Sequence, residues 1–384
     1  MAASNDKLDE AILRLSRNDA TLTALYLGTN FYGNQVGDEG AGRLAAALSI
    51  NSTLSTLYLS GNEVWDEGAV RLAEALTTNS TLTTLDLSFN QVGEEGAGRL
   101  AEALAINSTL TALDLNYNKV GAAGAGRLAE ALSINFTLST LNLGDNKVGN
   151  EGVRQLAGAL ATNSTLTTLN LSFNQVGDEG ARARELAILT LDLSDNQMGN
   201  EGTSRMTEAL ATNSTLTTLY LSDNEIDTSG ASALAMALQH NSSLTTLDLS
   251  GNEIGALGAS TLVTALIYNS SITTLYLDFP PHLRSQVTDL LERNKINAVK
   301  RSSSLFELLL PFLAVSSSAH SEAELQAKSL DWSANSWTDS NLGQTEGSLE
   351  TDPWHNSSWG DDNGWSLGDD KNDEMWDAEN PFDS

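Results

Sequence analysis

Leu82-Thr-Thr-Leu85-Asp-Leu87-Ser-Phe-Asn90 returns 28 residues later as Leu110-Thr-Ala-Leu113-Asp-Leu115-Asn-Tyr-Asn118. The same pattern starts at Leu22, Leu54, Leu138, Leu166, Ile188, Leu216, Leu244 and Ile272, which makes ten units. Most steps are 28 residues, but two differ. The step from Leu22 to Leu54 is four residues longer, through Phe31 to Asn34, and the step from Leu166 to Ile188 is six shorter. Self-similarity at a fixed period means stacked units, none of which can bury its apolar face alone.

Within a unit, Leu-x-x-Leu-x-Leu alternates apolar and outward positions, the mark of a short strand. An Asn closes it at Asn62, Asn90, Asn118, Asn146, Asn174, Asn196, Asn224 and Asn252. Its amide is expected to satisfy backbone groups between neighbouring turns. A Gly-rich turn of the type Val-Gly-x-Glu-Gly follows, then a segment such as Ala69-Val-Arg71-Leu72-Ala-Glu74-Ala-Leu76, with Leu and Ala at helical spacing. Glu67, Glu95, Glu151, Glu179 and Glu201 are placed to meet the positive helix start. Asn79, Asn107, Asn163 and Asn213 end the segment, where Asn tolerates a left-handed cap.

These motifs resemble the leucine-rich repeats of the ribonuclease-inhibitor-like subfamily. The resemblance covers residues 22–279 and implies an α/β solenoid, a curved horseshoe with a parallel sheet on its concave side and helices on its convex side. The chain departs from ribonuclease inhibitor in having no cysteine, so none of that protein's thiol chemistry carries over.

Residues 1–21 are expected to form an N-terminal capping helix and residues 280–315 C-terminal capping helices. The latter read as an amphipathic stretch at 283–293, a basic stretch from Arg293 to Arg301, and an apolar stretch from Leu305 to Leu313. From Ser316 to Ser384 the chain holds sixteen acids, two lysines and six of its seven tryptophans, without periodicity. A disordered acidic tail is expected there, its aromatics available to partners. Asp352-Pro353-Trp354 resembles ligands of endocytic adaptor appendage domains, and Asn380-Pro381-Phe382 resembles ligands of EH domains.

A net charge of −30 excludes a phosphate-backbone or anionic-membrane partner, which would need a positive footprint. The absence of cysteine excludes disulfide scaffolds, thiolate metal sites and cysteine nucleophiles. His240, His282, His320 and His355 are too dispersed for a metal site. No cofactor is expected. The start has no apolar core of a secretory signal, and no apolar run reaches the roughly twenty residues of a membrane span. A cytoplasmic location is expected. Asn-x-Ser/Thr tripeptides at Asn51, Asn79 and elsewhere then act as structural asparagines rather than glycosylation acceptors. Gly96-x-Gly98-x-x-Ala101 resembles a dinucleotide fingerprint, but it recurs at Gly40 and Gly124 as part of the repeat. Arg71, Arg99 and Arg127 precede Glu74, Glu102 and Glu130 by three residues, as helix-surface ion pairs do.

Two columns of residues face outward from the strands. One contains Tyr26, Tyr58, Asp86, Asp114, Asp192, Tyr220, Asp248 and Tyr276; the other contains Phe89, Tyr117 and Phe173, with Asp145, Asp195 and Asp223. Aromatic anchors in a charged surround suit a protein interface, and their sign predicts a partner with a basic surface. The chain therefore reads as a non-catalytic interaction module, whose tail recruits a second partner. Ran GTPase-activating proteins resemble it in plan, with repeats followed by an acidic tail, which implies a regulator of a small GTPase as the alternative; no arginine here aligns with their functional one. A sensor- or effector-type leucine-rich repeat protein is a further alternative.

Overall fold

A computed structural model describes residues 2–28, 36–178 and 187–317, which belong almost wholly to one compact unit, Met1–Ser316. The tail with its two motifs lies outside the described residues. So does most of the segment carrying the six-residue deletion.

Helix α1 (Ala2–Ser16) precedes β1 (Ala24–Tyr26), α2 (Gly37–Leu48), β2 (Thr56–Tyr58), α3 (Asp66–Leu76), β3 (Thr84–Asp86), α4 (Glu94–Leu104), β4 (Ala112–Asp114) and α5 (Gly121–Leu132). Then come β5 (Thr140–Asn142), α6 (Gly149–Leu160), β6 (Thr168–Asn170), β7 (Thr190–Asp192), α7 (Gly199–Leu210), β8 (Thr218–Tyr220) and α8 (Thr228–Leu238). The series ends with β9 (Thr246–Asp248), α9 (Gly255–Tyr268), β10 (Thr274–Tyr276) and α10 (Pro281–Ser317). The ten strands form one parallel sheet in sequence order, with each central Leu in register with the next. Helices cover one side, and a continuous leucine core lies between the two layers.

The helix spacing follows from Gly and Ala. In α4, Gly96, Ala97, Leu100, Ala101 and Leu104 face the core. A methyl group on Gly96 would stand 3.0 Å from the Ala69 methyl of α3. That glycine is filled against its neighbour, which leaves no phosphate cradle at Gly96-x-Gly98.

Two rows of asparagine stitch the repeats, one at each end of the strands. Asn90 Oδ1 accepts from the backbone N–H of Asn62 and of Val64, while its Nδ2 donates to the Leu59 carbonyl at 2.9 Å. The second row corrects an expectation. Asn79 is not left-handed. Its Oδ1 accepts from the N–H of Thr81 and Leu82, and its Nδ2 donates to the carbonyls of Leu48 and Asn51 in the preceding repeat. A shape-specific amide with two donors and an acceptor does more here than a permissive backbone would.

Helix starts bring another correction. The capping carboxylate comes from the preceding repeat: Asp66 Oδ1 accepts from Gly93 N–H at 2.6 Å and Gly96 N–H at 2.9 Å. Asp38 serves Trp65 and Gly68 of the next helix in the same way, and Asn200 serves Asp227 and Gly230. Glu151 and Glu201 instead pair with Arg154 and Arg205 on their own helices. The Arg71–Glu74, Arg99–Glu102 and Arg127–Glu130 pairs form, all on the exposed helix side.

Across the shortened unit, β6 and β7 keep the same register, Thr168 opposite Thr190. Asn196 Oδ1 still accepts from Asn174 N–H at 2.9 Å. The deletion therefore falls wholly outside the sheet and its first asparagine row.

At the C-terminal end one helix replaces the separate stretches expected: α10 runs unbroken from Pro281 to Ser317. No Gly or Pro stands between His282 and Leu310, so nothing ends the helix where the amphipathic, basic and apolar stretches meet. Leu283 and Val287 pack against Ala259 and Val263 of α9. At the other end Leu8, Ala11 and Leu15 of α1 close the core.

Candidate binding face

Residues on alternate strand positions point away from the core, so the middle Leu of each strand is buried and its neighbours face outward. The strand column begins with Tyr26 and Tyr58, whose rings stack at 4.7 Å. Tyr26 is 70% exposed and Tyr276, at the far edge, 53%. Asp86 and Asp114 lie opposite each other in register. Asp86 accepts from Ser88 N–H at 2.8 Å, and Asp114 from Asn116 N–H at 2.7 Å. Asp114 is buried at 5% exposure, and Asn142 Nδ2 reaches its other oxygen at 3.3 Å. Burial raises the pKa of both carboxyls, and for Asp114 the neighbouring Asp86 adds to the rise. Burial, Tyr26 and these two carboxylates also push the Tyr58 phenol upward. Asp192, Tyr220 and Asp248 continue the column, half-buried; Asp248 holds the next turn through Ser250 N–H at 2.9 Å. Several column aspartates thus have a turn-building role as well as a place on the face.

The second column occupies the turn just after each strand. Phe89, Tyr117, Asp145, Phe173, Asp195 and Asp223 all adopt left-handed backbone, with φ between 46° and 55°. Gly61 and Gly251 hold the same position in the repeats on either side, at φ 69° and 66°. Glycine adopts this conformation freely, whereas for a side-chain-bearing residue it costs about 1 kcal/mol or more. Each N–H in the column donates across to the next repeat, for example Phe89 to the Asn116 carbonyl at 2.8 Å and Phe173 to that of Ser194 at 3.0 Å. These bonds hold the strained turns in place.

Phe89 and Tyr117 stack at 4.4 Å, each 42% exposed, and Phe173 is 48% exposed between Asp145 and Asp195. Burial and then the charges of Asp223 and Asp192 push Asp195 up to about 6. Asp145, Asp195 and Asp223 take part in no ion pair among the described residues. Phe279, which ends the column, differs by packing onto the core beside α10.

Sequence reading reached both columns but not the ring stacks. The shared offset of 28 residues between Phe89 and Tyr117 carries that signal. It also missed Lys119, whose Nζ lies 5.1 Å from the centre of the Trp65 ring two repeats away. The grooves on the opposite side, such as the one of about 610 Å³ between α2 and α3, are lined by Gly, Ala and Arg–Glu pairs. Among the described residues no cluster of His, Asp or Glu is placed to hold a metal, and no helix is long and apolar enough to cross a membrane.

Eight stretches match the family described as Leucine Rich repeat: residues 51–73, 78–101, 107–129, 135–157, 162–183, 188–204, 212–235 and 240–263. No curated protein matches the chain. Among solved structures, one titled Leiomodin-1 Actin-Binding Site 2 (ABS2) is 15% identical over 79% of this chain and 96% of its own, with a TM-score of 0.21. The tropomodulin C-terminal domain of Caenorhabditis elegans is 17% identical over 46% of this chain and 98% of its own, with a TM-score of 0.34. Likenesses this loose carry no argument about ligands. The matched stretches coincide with the strand–turn–helix units and their asparagine rows: the chain is a leucine-rich repeat protein.

Proposed function

We propose that this chain is a non-catalytic, cytoplasmic interaction module that holds a protein partner with a basic surface against its strands. The observation that carries this reading is the composition of the two outward columns. They hold exposed rings and carboxylates and not one lysine or arginine. Rings give contact area at low entropic cost, and carboxylates select a partner by charge. Catalysis would need unlike polar groups converging in a pocket. The columns instead offer repeated groups in rows.

The test uses a photo-crosslinking amino acid in place of Tyr26 or Tyr276 on the strand side, or of Arg99 on the helix side. One and the same protein should cross-link from 26 and 276 and not from 99. Cross-linking confined to position 99 would overturn the proposal. The tail belongs to the same reading as a second recruiting element, through Asp352-Pro353-Trp354 and Asn380-Pro381-Phe382. Purified appendage and EH domains should bind the chain and lose binding with Trp354→Ala and Phe382→Ala respectively.

A further inference from the structure

The turn column poses a question that the strand column does not. Glycine serves this position in the repeats that contain Gly61 and Gly251, yet the six repeats between them carry Phe, Tyr or Asp there in a left-handed backbone. Aspartate tolerates that conformation; phenylalanine and tyrosine do not. Core packing does not offset the strain at Phe89, Tyr117 and Phe173, because their rings are close to half exposed. Strained backbone that holds an exposed ring points to a use for the ring.

We propose that the row Phe89, Tyr117, Asp145, Phe173, Asp195, Asp223 seats an extended partner segment carrying arginines three residues apart. This rests on the reading of the strand side as the binding face. Charge argues for a basic occupant and against a second copy of this chain, which at −30 would be repelled. Rings alternating with carboxylates favour arginine over lysine, since a planar guanidinium stacks on a ring while it donates to a carboxylate.

Spacing argues for the register. Neighbouring strands lie about 4.8 Å apart, so Asp145 and Asp195, two repeats apart, are separated by roughly 10 Å. A polyproline-type segment rises about 3.1 Å per residue with three residues per turn, which returns every third side chain to the same face after about 9.3 Å. One arginine then meets Asp145 beside the Phe89–Tyr117 stack, and the next meets Asp195 beside Phe173. Asp223 lies one repeat further, its carboxylate filling the space a side chain on Gly251 would take. The nearest bases on the same turns are Lys119, which lies over Trp65, and the exposed Lys147.

The test is fluorescence anisotropy of a labelled nine-residue proline-rich peptide with arginines at positions 1, 4 and 7, added to the full chain. A control peptide carries them at positions 1, 3 and 5. The first should bind at least about tenfold more tightly, and Phe173→Gly or Asp195→Asn should each remove most of that difference. Phe173→Gly should also raise the melting temperature, which separates a lost contact from a damaged fold. Equal binding of the two peptides, or a Phe173→Gly chain that binds like wild type, would overturn the proposal. Cross-linking of one protein from positions 26 and 276 alongside such a result would leave the binding face standing and remove only the arginine register.

Discussion

Arg293 Nη2 donates to the Asn269 carbonyl at 2.8 Å and to that of Leu266 at the same distance. In the regular repeats those two carbonyl positions are taken by the next repeat's asparagine, as Asn107 Nδ2 takes those of Leu76 and Asn79. After β10 there is no next repeat. A guanidinium from α10 therefore satisfies the last rung, with Asn294 Nδ2 adding bonds to Asn269 and Ile272. Arg301 similarly donates to the Ser270 carbonyl. The basic stretch from Arg293 to Arg301 thus supplies the end-cap of the solenoid through its two arginines.

Arg293→Ala should therefore lower stability by about 2 kcal/mol, the scale of leaving a buried carbonyl pair without its donor. Amide exchange should quicken first in α9 and β10 rather than uniformly. Arg293→Lys should recover only part of the loss, since a single ammonium lacks the second arm by which Nη1 reaches the Ile267 carbonyl while Nη2 holds the other two. Urea titration and hydrogen exchange measure both.

Asn146→Leu should cost about 2 kcal/mol, because it orphans the buried N–H of Val120 and leaves the Leu115 carbonyl with only Asn118 Nδ2 as side-chain donor. Asn196→Leu should cost a similar amount although its repeat is shortened, since Asn196 makes the same bonds to Asn174, Val176 and Leu171. A much smaller effect at Asn196, read from urea midpoints, would mean that the deletion loosens the sheet after all.

Asp66→Ala should destabilise by about 1 kcal/mol, the usual worth of a helix N-cap, and the fraying should appear at the start of α4 rather than α3. Asp66→Asn should be nearly neutral, because Asn200 already does the same work for α8 through Asp227 and Gly230. Exchange rates of the Gly93 and Gly96 amides report the site directly.

This last arrangement shows where the sequence was legible and where it was not. Leu-x-x-Leu-x-Leu and its closing Asn carry strand, register and ladder because their physics repeats within one unit. Asp66 acts on Gly93 and Gly96, 27 and 30 residues away, so local capping rules pointed instead to Glu67 and Glu95. The left-handed turn was hidden for a similar reason. Only Gly61 and Gly251 advertise it, and Phe89, Tyr117 and Phe173 disguise it in the repeats between. Asn79 was read by its conformational tolerance, whereas its contribution is an amide shared between two repeats. The rows of candidate binding residues were legible from the period alone, but the stacking of Phe89 on Tyr117 needed the repeats laid side by side.

Asp195 supplies a pH dependence with a definite sign. Burial and the nearby charges of Asp223 and Asp192 hold its carboxyl up at about 6, above the usual 3.8. The folded chain then binds that proton more tightly than the unfolded chain does. Its contribution favours folding at low pH and is lost as the pH rises from about 4 through about 6. Asp195→Asn, which mimics the protonated form, should therefore melt at a higher temperature than wild type at pH 7.5. The advantage should shrink steadily towards pH 4.5. Asp19 provides the opposite control: hydrogen bonds from Thr21 and then Arg14 lower it to about 2. Asp19→Asn should melt at a lower temperature at pH 7.5, and that deficit should close only in strong acid. Melting curves of the two variants beside wild type at several pH values test both signs together, and an Asp195→Asn chain no more stable than wild type at pH 7.5 would show that the carboxylates of this cluster are not crowded.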